Sequence, residues 1–154
     1  MSTFESREAI LAEACRIAHE QAGGTLATMH AEDGTPYVTY VLFHLRESGE
    51  VLFGSGASTQ HSRNMAATPE VSFLIDNRDI VATDWKHFDR VVIEGRAELI
   101  DGDHADYSPF LAELGTKSAM AATFTKQGNL YCIRPRRLIL RKGIEATKYL
   151  AEFV

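Results

Sequence analysis

A group of small polar residues stands at the point where an apolar segment gives way to a helical one. From residue 52 to 76 the chain reads LFGSGASTQHSRNMAATPEVSFLID. The residues at the junction are small or can donate a hydrogen bond, namely Ser55, Gly56, Thr59, Gln60, His61 and Arg63. A helix N-terminus presents unpaired N–H groups and a partial positive charge, so it can hold an anion. The segment therefore predicts an anion site, with simple helix capping by Ser58 or Thr59 as the alternative.

Composition predicts one globular domain spanning residues 1–154, with 45% apolar and 24% charged residues. The net charge is -5 and acidic and basic residues are mixed along the chain, so we expect no nucleic-acid partner. The N-terminal stretch carries acids from Glu5 onward, and no segment approaches the roughly 20 apolar residues of a membrane span. We therefore expect a soluble, cytoplasmic protein with no membrane partner.

Neither the cysteines nor any short motif supplies reactive chemistry. Cys15 and Cys132 lie far apart, and no histidine at metal-ligand spacing accompanies them, so we expect reduced structural thiols and no metal site. No nucleophile–base pair, zinc-protease motif or glycine-rich phosphate loop is present in the sequence. We assign no catalytic residue and expect a bound cofactor to carry the chemistry.

The pattern of apolar residues predicts a mainly β fold with helices. Helices are expected at residues 6–21 and 58–67, a mixture of helix and loop at 102–128, and a short helix or terminal arm at 144–154. Strands are expected at residues 25–31, 36–46, 51–55, 70–76, 90–101 and 129–143, with Pro135 at an edge or a bulge. Six strands in hairpin order with one inserted helix predict a six-stranded antiparallel split β-barrel.

The residues from Gly24 to Ile100 resemble the FMN-binding split barrel of the pyridoxamine-5'-phosphate oxidase superfamily. Three stretches carry the resemblance: TLATMHAEDGTPYVTYVLFHL, VLFGSGASTQHSRNMAATPEVSFLID and RVVIEGRAELI. They are similar to that family's first hairpin with its D-x-G-x-P turn, its phosphate-side helix between two strands, and its following strand. The resemblance implies an FMN-dependent oxidoreductase that exchanges hydride with an unassigned small substrate, in a homodimer with the site at the interface.

The resemblance also implies which residues would hold the cofactor. The flavin would lie along the second strand, near Thr39, Tyr40 and Val41, with Thr39 toward the ligand. The isoalloxazine ring would face Arg90. The phosphate would approach the junction described above, where the residues concerned are Ser55, Gly56, Thr59, Gln60, His61 and Arg63.

The sequence departs from the family pattern at its basic positions, which keeps other functions open. The family usually places arginine at the position of Thr39, lysine at that of His44, and a basic pair at that of Gln60-His61. The stretch QHSRN is instead similar to the haem-utilisation branch. That branch contacts haem through a histidine in a C-terminal extension, and no histidine follows His104 in this sequence. The alternatives are a haem-binding or haem-degrading protein, an F420-dependent reductase, and a non-catalytic binding module that has lost its cofactor.

Three further features receive a structural interpretation. We interpret His44 as a structural or surface residue because no partner at metal-ligand spacing accompanies it. Trp85 is interpreted as a packing anchor. The arginines of the RPRR segment, residues 134–137, are interpreted as a solvated strand edge.

Overall fold

The computed structural model describes residues 4–81 and 83–154. The helices in this part of the chain are α1 (Arg7–His19), α2 (Gln60–Ala67), α3 (Arg78–Val81), α4 (Tyr107–Lys117) and α5 (Ala119–Lys126). The strands are β1 (Gly23–Met29), β2 (Pro36–Leu42), β3 (His44–Leu45), β4 (Val51–Ser55), β5 (Glu70–Asp76), β6 (Arg90–Ile100), β7 (Asn129–Arg141) and β8 (Lys148–Glu152). Within the same residues no helix has both the length and the apolar character needed to cross a membrane.

The strands form one antiparallel sheet that curls into a barrel. Their order is β2-β1-β5-β6-β7-β4-β3, with β8 added beside β7. Only Phe43, whose side chain is fully buried, separates β2 from β3, so these two strands form one bent strand. Because β2 stands first in the order and β3 stands last, the bent strand joins the two ends of the sheet. Counting that bent strand once, the barrel has six strands, which confirms the predicted split β-barrel.

Alternating side chains fill the barrel, and α1 covers one end of it. Val71, Phe73 and Ile75 on β5 point inward, as a strand with a period of two requires. The buried residues of α1 recur at helical spacing and form its inward face: Ile10, Leu11, Ala14, Ile17 and Ala18. This shared core fixes the ends of the strands from which the candidate site is built.

A second, smaller core lies outside the barrel and holds α4 and α5 against β4. Leu52 alternates with the barrel-facing residues Val51 and Phe53 and therefore points to the opposite face of β4. It packs there with residues of both helices and of the strand ends, namely Ile100, Phe110, Leu114, Ala121, Leu130 and Cys132. This cluster brings α5 next to the junction of β4 and α2.

The C-terminal tail departs from the expected helix or arm. Residues 148–152 form β8, which pairs antiparallel with β7 and buries Ala151 next to the barrel core. The expected helix is wrong because the free edge at the end of β7 offers main-chain partners to this segment, whereas a short helix leaves the N–H and C=O groups at its ends unpaired. At Pro135 the register of β6 and β7 shifts, so the predicted bulge is confirmed.

The charged and aromatic residues singled out in the sequence are placed as follows. Carboxylates bind all three arginines of the RPRR segment: Arg134 contacts Glu50 and Glu98, Arg136 contacts Glu70, and Arg137 contacts Glu94. The Nε2 atom of His44 lies 3.3 Å from a Glu113 carboxylate oxygen, in keeping with a structural role. Trp85 is mostly exposed and makes an edge contact with Phe88, so the interpretation of Trp85 as a packing anchor is wrong.

Candidate functional site

A cavity of about 500 Å³ opens where β4 ends and α2 begins. Its walls come from β2, from the β4–α2 loop and from α5. The residues that line it are Tyr40, Val41, Leu42, Gly54, Ser55, Gly56, Thr59, His61, Ala121, Phe124, Gln127 and Gly128. The predicted anion site therefore lies at the floor of a cavity whose walls are largely apolar.

A larger groove of about 730 Å³ lies between α1, β3 and α4. Its polar side chains are largely engaged with one another. Glu113 accepts from Arg46 at 2.8 Å and lies 3.3 Å from His44, while Lys117 donates to the Ala18 carbonyl at 3.1 Å. Because these contacts join α4 to β3 and α1, we interpret the groove as a packing seam and the smaller cavity as the candidate site.

Two glycines allow α5 to approach β4 closely enough to form the cavity. A Cβ atom at Gly54 would overlap the hydroxyl of Thr125, and a Cβ atom at Gly128 would overlap the backbone carbonyl of Ser55. Thr125 is fully buried, and its hydroxyl donates to the Ala121 carbonyl at 2.7 Å. The floor of the cavity is thus formed by tightly packed backbone.

Three hydroxyl groups hold the β4–α2 loop in a fixed shape. The Ser55 and Thr59 hydroxyls lie 3.0 Å apart, and the Ser62 hydroxyl lies 2.9 Å from that of Thr59. Thr59 and Ser62 also donate to the Gly56 carbonyl, at 3.1 and 2.8 Å. Since these hydroxyls satisfy one another and the loop backbone, they preorganise the loop.

Thr59 is also the N-cap of α2, as the capping alternative proposed. Its side chain accepts from the Ser62 N–H at 3.2 Å, and its carbonyl accepts the first helical hydrogen bond from the Arg63 N–H at 3.1 Å. The N–H groups of Gln60 and His61 precede that bond, so helix geometry provides no carbonyl for them. These two backbone groups are the donors that α2 can offer to an anion.

His61 projects into the cavity and is half-buried. Its Nε2 atom forms a hydrogen bond with the Ser55 hydroxyl. Burial lowers the pKa of the His61 imidazole below its ordinary value of 6.5, with no contribution from a neighbouring charge. Among the residues that line the cavity, all within the described ranges, the titratable side chains are those of His61 and Tyr40. The cavity is therefore uncharged at neutral pH.

Gln60 and Arg63 do not line this cavity. The Gln60 amide donates to Glu32 in the β1–β2 turn at 3.0 Å and to the Asn64 side chain at 2.8 Å. The Arg63 guanidinium donates to the Ser58 carbonyl at 2.7 Å and to the Gln60 side-chain oxygen at 2.7 Å. These two side chains join α2 to the neighbouring turn and loop.

Asn64 positions α2 and was not singled out by the sequence analysis. It is fully buried, and its side-chain oxygen accepts from the Ala31 N–H at 2.8 Å. Its amide group donates to the buried Thr28 hydroxyl at 3.0 Å. Asn64 therefore fixes the helix start, and with it His61, relative to β1.

The alternation of β2 places Tyr40 and Thr39 on opposite faces. Thr39 pairs with the core residue Leu26 and lies on the same face as buried Val41, whereas Tyr40 lines the cavity. Because Tyr40 is part of the lining and Thr39 is not, it is Tyr40, and not Thr39 as expected, that faces this cavity; Val41, on the face of Thr39, contributes to the lining nearer the end of β2. Arg90 also lies outside the lining; its guanidinium donates to the Gly143 carbonyl at 3.2 Å and lies over the Phe88 ring.

Six of the expected site residues thus meet at the cavity, and four do not line it. Those that meet are Tyr40, Val41, Ser55, Gly56, Thr59 and His61; the others are Thr39, Gln60, Arg63 and Arg90. The sequence analysis missed the contribution of α5 with its following turn, and also Leu42 and Gly54. No short-range pattern pairs α5 with β4, although the two glycines of the contact were visible in the sequence.

A model of the pyridoxamine 5'-phosphate oxidase family matches residues 11–148 of the chain. No curated protein is significantly similar to it in sequence. Among solved structures, a heme binding protein from Mycobacterium smegmatis is 22% identical with a TM-score of 0.79, over 98% of this chain and 60% of that one. HutZ, the heme storage protein from Vibrio cholerae, is 20% identical with a TM-score of 0.67, over 90% and 92% of the two chains.

A third similar structure is the General Stress Protein 26 from Bacillus anthracis, with 14% identity and a TM-score of 0.61 over 86% of this chain and 92% of that one. At these identities the structural likenesses show the fold alone. The family model, in contrast, spans most of the sequence. The chain belongs to the pyridoxamine 5'-phosphate oxidase family.

Proposed function

We propose that the chain binds FMN in the cavity at the start of α2 and acts as an oxidoreductase on a small substrate. The observation that carries the proposal is a cavity with aromatic and aliphatic walls that ends at a helix N-terminus. Apolar walls suit a flat conjugated ring, and a helix N-terminus suits a phosphate. Membership in the pyridoxamine 5'-phosphate oxidase family supports the same assignment.

The residues present fit the two ends of FMN unequally. Tyr40, Leu42 and Phe124 offer apolar surface to a ring. The backbone N–H of His61, and that of Gln60 next to it at the rim, are left by helix geometry for a phosphate, but no arginine or lysine is among the lining residues of the described chain. We therefore expect burial of the ring to contribute more to affinity than the phosphate does.

When bound, FMN would supply hydride transfer, and the chain would supply binding and shielding. Tyr40 and Phe124 would cover the ring and exclude water from it. The first-turn N–H groups of α2 would orient the anionic end, because the hydroxyl cluster and Asn64 fix them in space. The lining offers no carboxylate, so the proposal assigns no acid–base residue to the substrate.

Exposed apolar side chains around the cavity mouth support a homodimer. Val38 and Tyr40, on the same face of β2, are 64% and 66% exposed. Met120 and Phe124, one helical turn apart on α5, are 62% and 57% exposed. Because a single chain rarely leaves so many large apolar residues exposed beside one cavity, we propose that a second copy covers them and completes the site.

Titration of FMN with the purified chain tests the proposal through quenching of flavin fluorescence. We expect saturable quenching, and we expect Phe124→Ala to weaken affinity about tenfold because an aromatic contact with the ring is lost. Leu150→Ala is the matched control, since Leu150 is an exposed apolar residue on β8 outside the cavity lining. Light scattering should give twice the chain mass of 17.1 kDa. No quenching together with a monomeric mass would contradict the proposal.

A second candidate function is haem binding, favoured by the state of His61. A neutral imidazole in an uncharged, partly apolar cavity has the character of a haem-iron ligand. Two of the structurally similar proteins are a heme binding protein and a heme storage protein. A Soret band on addition of haem that is shifted in His61→Gln, in a chain that fails to quench FMN, would favour this candidate over the first.

A further inference from the structure

His61 is the cavity residue that can acquire a positive charge near neutral pH. Tyr40, which also lines the cavity, carries a phenol and no basic nitrogen that could take up a proton. The hydrogen-bond partner of His61 is the uncharged hydroxyl of Ser55, and burial alone shifts the imidazole pKa downward. A protonated His61 therefore has no counter-ion in the cavity until an anion enters.

Charged groups on the surrounding elements supply neither a counter-ion for a protonated His61 nor a second cation in the lining. On α2, the Arg63 guanidinium is bound to the Ser58 carbonyl and to Gln60. On the β1–β2 turn, Glu32 is bound to the Gln60 amide. The lining residues of β4 and α5, from Ser55 to Gly128, carry no charge. Among the described side chains that line the cavity, that of His61 is thus the one that can offer a positive charge to a bound phosphate.

We propose that His61 recognises the cofactor phosphate by taking up a proton as the phosphate binds, so that this site prefers phosphorylated to unphosphorylated flavin only when the pH is low enough. The inference rests on the proposed binding of FMN in this cavity. An anion at the start of α2 would stabilise the imidazolium and raise its pKa in the complex. The protonated imidazole then forms a charge-assisted hydrogen bond with a phosphate oxygen.

The preference for FMN over riboflavin isolates this effect, because the two flavins differ only in the phosphate. At pH 8 His61 is neutral, and we expect the two affinities to agree within about threefold, since neutral N–H groups alone contact the phosphate. Near pH 6 the imidazole is protonated on binding, and the phosphate, with a second pKa of about 6, still carries most of its charge. We expect the FMN preference to rise about tenfold between pH 8 and pH 6, as one charge-assisted bond implies.

The experiment is a pair of fluorescence titrations, with FMN and with riboflavin, at pH 8 and pH 6. His61→Gln retains a donor to Ser55 but cannot be charged, so its FMN preference should be the same at both values. His61→Lys supplies a fixed charge, so its preference should be high already at pH 8. His87→Gln is the matched control, because His87 is an exposed histidine bound to Asp84 outside the cavity lining.

Proton uptake gives a second, independent readout. Calorimetric titration of FMN at pH 7 in two buffers with different ionisation enthalpies should show up to one proton taken up per site by the wild type. Riboflavin binding and FMN binding to His61→Gln should show none. Thermal unfolding of each variant at pH 8 checks that the fold is intact.

The outcomes separate this inference from the function on which it rests. If neither flavin binds at either pH, the proposed FMN function fails. If both flavins bind and the FMN preference of the wild type is the same at pH 6 and pH 8, the function stands and the role of His61 is overturned. A pH-dependent preference that persists in His61→Gln would also overturn the role of His61.

Discussion

Replacement of Asn64 by alanine tests whether this buried amide holds the start of α2. The substitution removes three hydrogen bonds, to the Ala31 N–H, the Thr28 hydroxyl and the Gln60 amide. Gln60 can exchange its lost bond for water because its amide is near the surface, so that loss costs little. Thr28 is only 2% exposed, so its hydroxyl would lose its partner inside the protein.

The expected destabilisation follows from these three losses. Each intramolecular hydrogen bond contributes about 0.5–1.5 kcal/mol net, and a buried polar group left without a partner costs about 1–3 kcal/mol. Counting the bonds to Thr28 and Ala31 over that full net range and the bond to Gln60 at its lower limit, we expect Asn64→Ala to cost about 1.5–3.5 kcal/mol. For a chain of this size that corresponds to a fall in Tm of about 5–10 °C.

Urea unfolding followed by circular dichroism measures this free energy, with Gln60→Ala as the matched control on the same helix. The control should cost about 0.5 kcal/mol or less, since its side chain lies near the surface. FMN affinity should also fall in Asn64→Ala, because the first turn of α2 loses its attachment to β1. Equal stability of Asn64→Ala and Gln60→Ala would refute the positioning role of Asn64.

Three further predictions follow from close packing and from titration. Gly54→Ala should cost about 1–3 kcal/mol by urea unfolding, because the new Cβ meets Thr125, whereas Gly56→Ala should be near neutral. Burial depresses the His61 pKa, so stability of the apoprotein should decline below pH 6.5, and His61→Gln should lessen that decline. The hydrogen bond from Arg136 lowers the pKa of the Glu70 carboxyl below its ordinary value of 4.5. The ion pair should therefore contribute to the free energy of unfolding above pH 4.5 and be lost as the pH falls below it, and urea unfolding of Glu70→Gln should show no such loss.

The barrel could be predicted because the alternation of apolar and polar residues within each strand is visible in the local sequence. On β5, Val71, Phe73 and Ile75 alternate with less buried residues, and a buried face of that kind fixes both the strand and its orientation. Thr59 was a predictable N-cap because capping depends on the residue type beside the helix start. Pro135 was a predictable bulge because a proline lacks the N–H group that a ladder requires.

The parts that escaped prediction depend on contacts between distant segments. On β2 apolar or aromatic residues stand on both faces, so the sequence does not settle whether Thr39 or Tyr40 faces the cavity. The approach of α5 to β4 requires Gly54 and Gly128 together, and nothing local relates these two glycines. The tail became β8 because the edge of β7 was available, which is a property of the folded sheet.

The measurement that tests the central claim most directly is the mapping of backbone amide chemical shifts by NMR during FMN titration. The account predicts that the largest changes occur at Tyr40, at residues 54–61, and at Phe124 and Gly128, which together surround the cavity. Changes concentrated in the groove between α1, β3 and α4, or no changes at a saturating concentration of FMN, would contradict it.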